Sequence, residues 1–148
     1  MIRHATAADI DALVPMAWRF IQFAPHAPMV GATDDQVRAS IAMVIEHGVI
    51  LVAEQGGALT GMLMGILNPI WFAPATRCAV ELAWWIEPEH RGGMAAIRLV
   101  NAFEEWAKAQ GAAMVTMCDL VVDGQPPVGD IIMRLGYTPS ERTFVKGL

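Results

Sequence analysis

Arg91, Gly92 and Gly93 stand where an apolar run ends at Pro88 and a helix-period run begins, in IEPEHRGGMAAIRL (86–99). Glycine weakens a helix, so two in a row at its mouth need a reason, and close approach of an anion to the backbone supplies one. A strand, a glycine turn and a helix N-terminus together form an anion site: first-turn N–H groups lack partners and the macrodipole adds positive charge. Gly92 and Gly93 leave room for a phosphate, and Arg91 adds a full charge beside it. G-x-G-x-x-G is absent, and no doubly wound β-α-β series surrounds the segment, which argues against a dinucleotide fold. The second group able to do chemistry is Glu81, in the middle of the apolar stretch 79–87. Period-2 alternation sets Val80, Leu82, Trp84 and Ile86 on one face as pure core, and Glu81, Ala83, Trp85 and Glu87 on the other. A carboxylate there is costly unless paired or useful, and burial raises its pKa toward that of a general base. The structural alternative is a carboxylate satisfied by a buried arginine or by backbone amides. Asp119, at the end of the next strand, reads as a turn or capping aspartate and as the second candidate base. Glu87 and Glu89, flanking Pro88, read as solvated loop charges, and His90 as an exposed loop histidine.

The elements that must position these groups follow from periodicity and breakers. Ile2–Ala5 reads as a first strand. Thr6 or Asp9 caps a helix with Ile10, Leu13, Val14, Ala17 and Phe20–Ile21 on one face. FAPHAPMVG (23–31) is a Pro-punctuated loop, and Asp34 and Asp35 begin a second helix that ends near Gly48. Val49–Glu54 is a buried strand, QGGA a hairpin turn, and Leu59–Leu67 the partner strand. After a loop at Pro69–Pro74, Ala79–Glu87 is a further strand. Met94–Gln110 is an amphipathic helix with a Glu104–Lys108 pair and Gly111 as its stop. Ala113–Asp119 is a strand parallel to 79–87, since a strand–helix–strand unit crosses over right-handed. Val128–Leu135 is a short helix and Tyr137–Val145 a last strand. The order β-α-α-β-β-β-α-β-α-β is an α/β domain with a mixed sheet, and nothing divides residues 1–148 into more than one.

Composition narrows the function classes. A net charge of −5 argues against an extended nucleic-acid footprint. The N-terminus lacks a basic-then-apolar signal layout and no apolar run reaches membrane-spanning length, so a soluble cytoplasmic protein is expected. Cys78 and Cys118, both in apolar runs, read as buried free thiols, and no spacing points to a metal. The chain is 55% hydrophobic, with five Trp and ten Met, which points to a homodimer interface or a greasy ligand groove.

The element order and the glycine turn resemble the Gcn5-related N-acetyltransferase (GNAT) superfamily. The likeness spans IRHATAADIDAL, VAEQGGALTGMLMG, WWIEPEHRGG and MRLGYTPSERTFVKGL, nearly the whole chain. That superfamily's acyl-CoA loop, Arg/Gln-x-x-Gly-x-Gly/Ala, corresponds to Arg91-Gly92-Gly93-Met94-Ala95-Ala96. Met94 stands where the second glycine is usual; it keeps its backbone N–H while its Cβ narrows the space. The resemblance implies acetyl-CoA as co-substrate, its phosphates at Arg91 to Ile97, and its pantetheine arm paired with the backbone of Trp84, Trp85 and Ile86 where this strand and 113–119 splay apart.

Acetyl transfer from a thioester to an amine needs a neutral, aligned amine, a donor to the oxyanion and a proton for the leaving thiolate. Glu81 matches a position where the family often places its base. Counting four residues back from Gly136, where many members carry a tyrosine acid, lands on Ile132, which cannot donate. Tyr137 is the only tyrosine and the remaining acid candidate, usually a packing residue at that position; water is the alternative. An acceptor pocket is expected between the two early helices and loop 23–31, with loop Pro69–Pro74 over it and Phe23, His26, Met29, Trp71 and Phe72 as its apolar lining. The acceptor is a small-molecule or peptide amine. Two other readings stay open: a non-catalytic CoA-binding or regulatory domain, and a ligand-free interaction protein of the same fold.

Overall fold

The run 49–53, VILVA, is buried along its whole length because helices cover both faces of its strand. In the computed structural model, which describes residues 1–124 and 127–148, Val49–Gln55 (β2) sits inside a five-stranded sheet. Its neighbours are Ile2–His4 (β1), Ala58–Ile70 (β3), Ala73–Ile86 (β4) and Met114–Thr116 (β5), in the order β1-β2-β3-β4-β5. The first four strands run antiparallel and β5 runs parallel to β4, the mixed sheet expected. Ile10–Phe23 (α1) and Asp34–His47 (α2) pack on Ile50, Val52, Met62, Met64, Ala83 and Trp85. Ala95–Ala109 (α3) packs on the other face through Leu99, Val100, Phe103 and Ala107. Gly129–Arg134 (α4) is a short helix anchored by buried Ile132.

Local chemistry explains the boundaries. Thr6 and Asp9 form a capping box ahead of α1, and Thr33 with Gln36 does the same for α2. Gly56 and Gly57, at φ of 59° and 83°, make the β2–β3 turn that only glycine adopts cheaply. Lys108 pairs with Glu105 at 2.9 Å rather than with Glu104, three residues back instead of four.

Four expectations are corrected. The β3–β4 hairpin is longer than its sequence pattern, so residues 69–74 form its tip and not a cover; Trp71 and Phe72 stand 89% and 72% exposed there. β5 pairs with β4 only from Cys78↔Met114 to Val80↔Thr116, shorter than Ala113–Asp119. Residues 138–148 form no strand, since β5 offers so short an edge and Pro139 lacks a donor; Phe144 is 90% exposed. Cys118 is exposed because it lies beyond the last β4–β5 pair, while Cys78 is buried as expected; both are free thiols.

Candidate active site

The faces of β4 depart from simple alternation, and this decides where Glu81 points. Glu81 pairs with Gly65 and Ala83 with Met64, which leaves Leu82 as an extra residue in a bulge. The alternation therefore flips between 81 and 83. Glu81 shares the α3 face with Ala79 and with Gly65, where a Cβ would strike the Phe103 ring. Ala83 and Trp85 face α1 and α2, Trp84 and Ile86 face α3, and Leu82 is 43% exposed. The expected grouping of Glu81 with Ala83, Trp85 and Glu87 is thus wrong, as is the core face of Val80, Leu82, Trp84 and Ile86.

Glu81 is 6% exposed and its Oε2 accepts the Cys118 N–H at 2.9 Å. This bond crosses from β4 to the chain just after β5, one residue past Val80 and two past Thr116, the last paired positions, where the strands part. Burial raises its pKa to about 7, against the opposing pull of the Cys118 amide. No arginine pairs with it among the described residues. A carboxylate so held titrates near neutral pH and can take a proton.

Beyond Glu81 the outer edge of β4 is open. The Glu87 N–H bonds to Thr60 O, so Glu87, Trp85 and Ala83 point their backbone groups at β3, and Ile86 and Trp84 point theirs away from it. With β5 ended at Thr116, these outward groups can pair with an extended ligand. One of them, Ile86 O, already accepts from Arg91 Nε at 3.1 Å.

The glycine turn has the conformation its sequence needs. Gly92 has φ of 82°, and a Cβ built on it or on Gly93 meets open space or nothing closer than 4.0 Å. Met94 is the N-cap of α3, is 55% exposed, and no side chain caps the helix. The N–H groups of Ala95, Ala96 and Ile97 fall in the first turn without helical partners, so residues 92–97 fit a pyrophosphate-sized anion.

Arg91 departs from expectation. Its guanidinium lies over the Trp85 ring at 4.6 Å and near Phe23 at 5.8 Å, instead of beside the turn. Arg98, one turn into α3, instead lines a cavity of about 340 Å³ with His90, Gly93 and Met94. Its place one helical turn after the glycines was the signal for it.

Glu87, expected in solvent, is 6% exposed. Both its oxygens accept from Arg19 Nε at 3.0 Å, and Oε2 also accepts from Trp85 Nε1 at 3.3 Å. Arg19 and Glu87 lie far apart in sequence, so only the packing of α1 on β4 brings them together. Breaking the pair strands a buried carboxylate: Arg19→Leu should cost about 2–4 kcal/mol in urea unfolding, discounted because Arg19 is half exposed. Arg19→Leu/Glu87→Leu should recover part of that loss; a single variant as stable as the parent would show the pair to be idle.

Asp119 Oδ1 accepts the Val128 N–H at 3.0 Å, which ties Asp119 to the residue ahead of α4. Tyr137 packs against the α3 layer, and burial, then Glu104 nearby, pushes its phenol pKa up. At the end of α1, Trp18, Phe23, Pro25, Pro28 and Val30 line a cavity of about 420 Å³. Of the lining expected for an acceptor pocket its wall holds Phe23 but not His26, Met29, Trp71 or Phe72, and no residue of α2 joins it.

Comparison with known proteins bears on the fold and the family. No curated protein matches the sequence significantly. Among solved structures, AAC(6')-Iy in complex with a bisubstrate analogue has TM-score 0.77 at 15% identity, covering 99% of this chain and 95% of that one. A predicted acetyltransferase with acetyl-CoA from Clostridium acetobutylicum has TM-score 0.73 at 15% identity, covering 99% and 94%. A transcriptional regulator from Bacillus halodurans has TM-score 0.74 at 20% identity, covering 100% and 99%. At these identities the likeness concerns the fold. The family model "Acetyltransferase (GNAT) family" matches residues 13–137, and the chain belongs to that family.

Proposed function

We propose that the chain transfers the acetyl group of acetyl-CoA to an amine within one ternary complex, Glu81 acting as the base. The observation that carries this reading is the buried Glu81 carboxylate, with a pKa of about 7, at the point where β4 and β5 part. Acetyl-CoA supplies the activated acyl carbon. The uncapped first turn of α3 and the open Gly92–Gly93 backbone bind its phosphates, and the outward groups of Trp84 and Ile86 align its arm. Glu81 Oε takes the proton that the amine nitrogen loses as the new N–C bond forms and the C–S bond breaks. Tyr137 or water returns a proton to the departing sulfur. A thiol-release assay over polyamines, amino acids, aminoglycosides and peptide N-termini tests the reading, with release dependent on the amine as the expected result.

The second reading, a non-catalytic CoA-binding domain, is favoured by Ile132, buried and unable to donate a proton where a tyrosine is usual. Acetyl-CoA binding without release for any amine would select it. Exposed Trp71, Phe72 and Phe144 support a homodimer. Sedimentation at micromolar concentration should show it, and a monomer alone would remove it.

A further inference from the structure

The β3–β4 hairpin outruns its neighbours in the sheet. β2 pairs with β3 no further than Gly65, and β5 meets β4 only from Cys78 on, so residues 68–76 project as a two-stranded arm with both outer edges unpaired. Two strands without further support are marginal in water. At the tip of the arm the exposed rings of Trp71 and Phe72 stand edge to face at 5.4 Å, a preformed aromatic wedge. Its concave counterpart is the cavity of about 420 Å³ at the end of α1, walled by Trp18, Ile21, Phe23 and Pro28, with Val30 in the same wall 63% exposed. The two surfaces cannot meet within one chain. Phe23 packs on Trp85 at 5.5 Å, and Trp85 lies toward the far end of β4 from the tip, about 40 Å away along the strand.

We infer that the Trp71–Phe72 wedge of one chain seats in the α1-end cavity of a second copy, whose own wedge seats in the cavity of the first about a two-fold axis. The inference rests on the homodimer reading above and gives it a surface. Charge favours this occupant. Two chains of net charge −5 repel, so contact is easiest where one side carries no carboxylate. Residues 68–80 hold none, and Arg77 at the base of the arm has no carboxylate partner among the described residues. The cavity's edge is acidic: exposed Asp34 accepts from Trp18 Nε1 at 2.6 Å, and exposed Asp35 follows it. Area favours it too. Trp and Phe each bring about 150–250 Å², so two reciprocal insertions and the walls they cover remove roughly 1,000–1,400 Å², which reaches the extent a specific interface needs. A two-fold axis uses both halves of both chains and closes after two copies. The aromatic cover that residues 69–74 do not give their own chain is supplied by the partner.

Variants on the two surfaces, one at each end of β4, test the contact by sedimentation equilibrium. Trp71→Ala/Phe72→Ala removes the wedge, and Val30→Glu puts a charge in the cavity wall. Both sites are exposed, so each chain should keep its fold, read by circular dichroism. The parent should be a dimer at micromolar concentration. Each variant should be a monomer there, its dimer dissociation constant raised about a thousandfold or more, because a lost anchor counts twice by symmetry. Phe144→Ala, which removes an exposed aromatic belonging to neither surface, should remain a dimer. A Val30→Glu chain as dimeric as the parent would overturn the inference, since the wedge would then meet another wedge or another face. A wedge variant that stays dimeric, with association lost in Phe144→Ala instead, would also overturn it and leave the homodimer reading standing. A parent that grows into longer oligomers would contradict two-fold closure. A parent that is a monomer throughout would remove both the inference and the homodimer.

Discussion

Glu81→Gln should slow acetyl transfer by roughly a hundredfold or more at neutral pH, the ordinary worth of a general base. Glutamine keeps the side chain's size and can still accept the Cys118 N–H, so the geometry at the parting strands survives while the proton acceptor is lost. The deficit should shrink at high pH, where free amine forms unaided. In the parent, the rate should rise with pH through about 7 as Glu81 ionises. Stability moves the other way. The folded pKa lies above the usual carboxylate value of 4.5, so folding retains a proton that the unfolded chain releases between 4.5 and about 7. The parent should therefore lose stability as pH rises across that window, by up to about 3 kcal/mol, and Glu81→Gln should lose none of it. A variant equal to the parent in rate at every pH would make Glu81 structural.

Gly92→Val should abolish acetyl-CoA binding. Gly92 holds φ of 82°, where a β-branched residue is strained by about 1–3 kcal/mol. A Cβ there meets no protein atom within 4 Å, so the added bulk stands in the open space beside the α3 N-terminus and not in the core. The parent, at about a hundred times the dissociation constant of acetyl-CoA, gains roughly 2.7 kcal/mol, a melting shift of about 5–10 °C. In Gly92→Val the shift should vanish. Gly111→Val is the control: it carries similar strain, at φ of 72°, at the opposite end of α3, and its shift should persist. Loss of the shift in both variants would attribute the effect to strain on the helix alone.

Strands, helices and their order were legible because periodicity and breakers agree: VILVA, QGGA and the heptad-like face of 95–109 each have one physical reading. The glycine turn ahead of α3 was legible for the same reason, since two glycines before a helix have few uses. The direction of Glu81 was not. A bulge at Leu82 inverts the alternation beyond it, and a bulge is set by the pairing of two strands, not by either strand's pattern. Glu87 and Arg19 escaped notice because neither carries a local sign of the other. Arg91 was given to the anion on its charge and its place at the head of the loop, whereas Trp85, which the fold brings beneath it, competes for the guanidinium. The last strand failed because an alternating segment becomes a strand only beside a free edge long enough to pair with it, and β5 pairs at three positions.

The acyl-CoA site is the claim on which the rest stands, and its most direct measurement needs no acceptor. Titration of the protein with acetyl-CoA in a calorimeter should show a single saturable site per chain, kept in Glu81→Gln and lost in Gly92→Val. Absence of saturable binding to the unsubstituted protein at millimolar acetyl-CoA, with no shift in its melting temperature, would contradict the account.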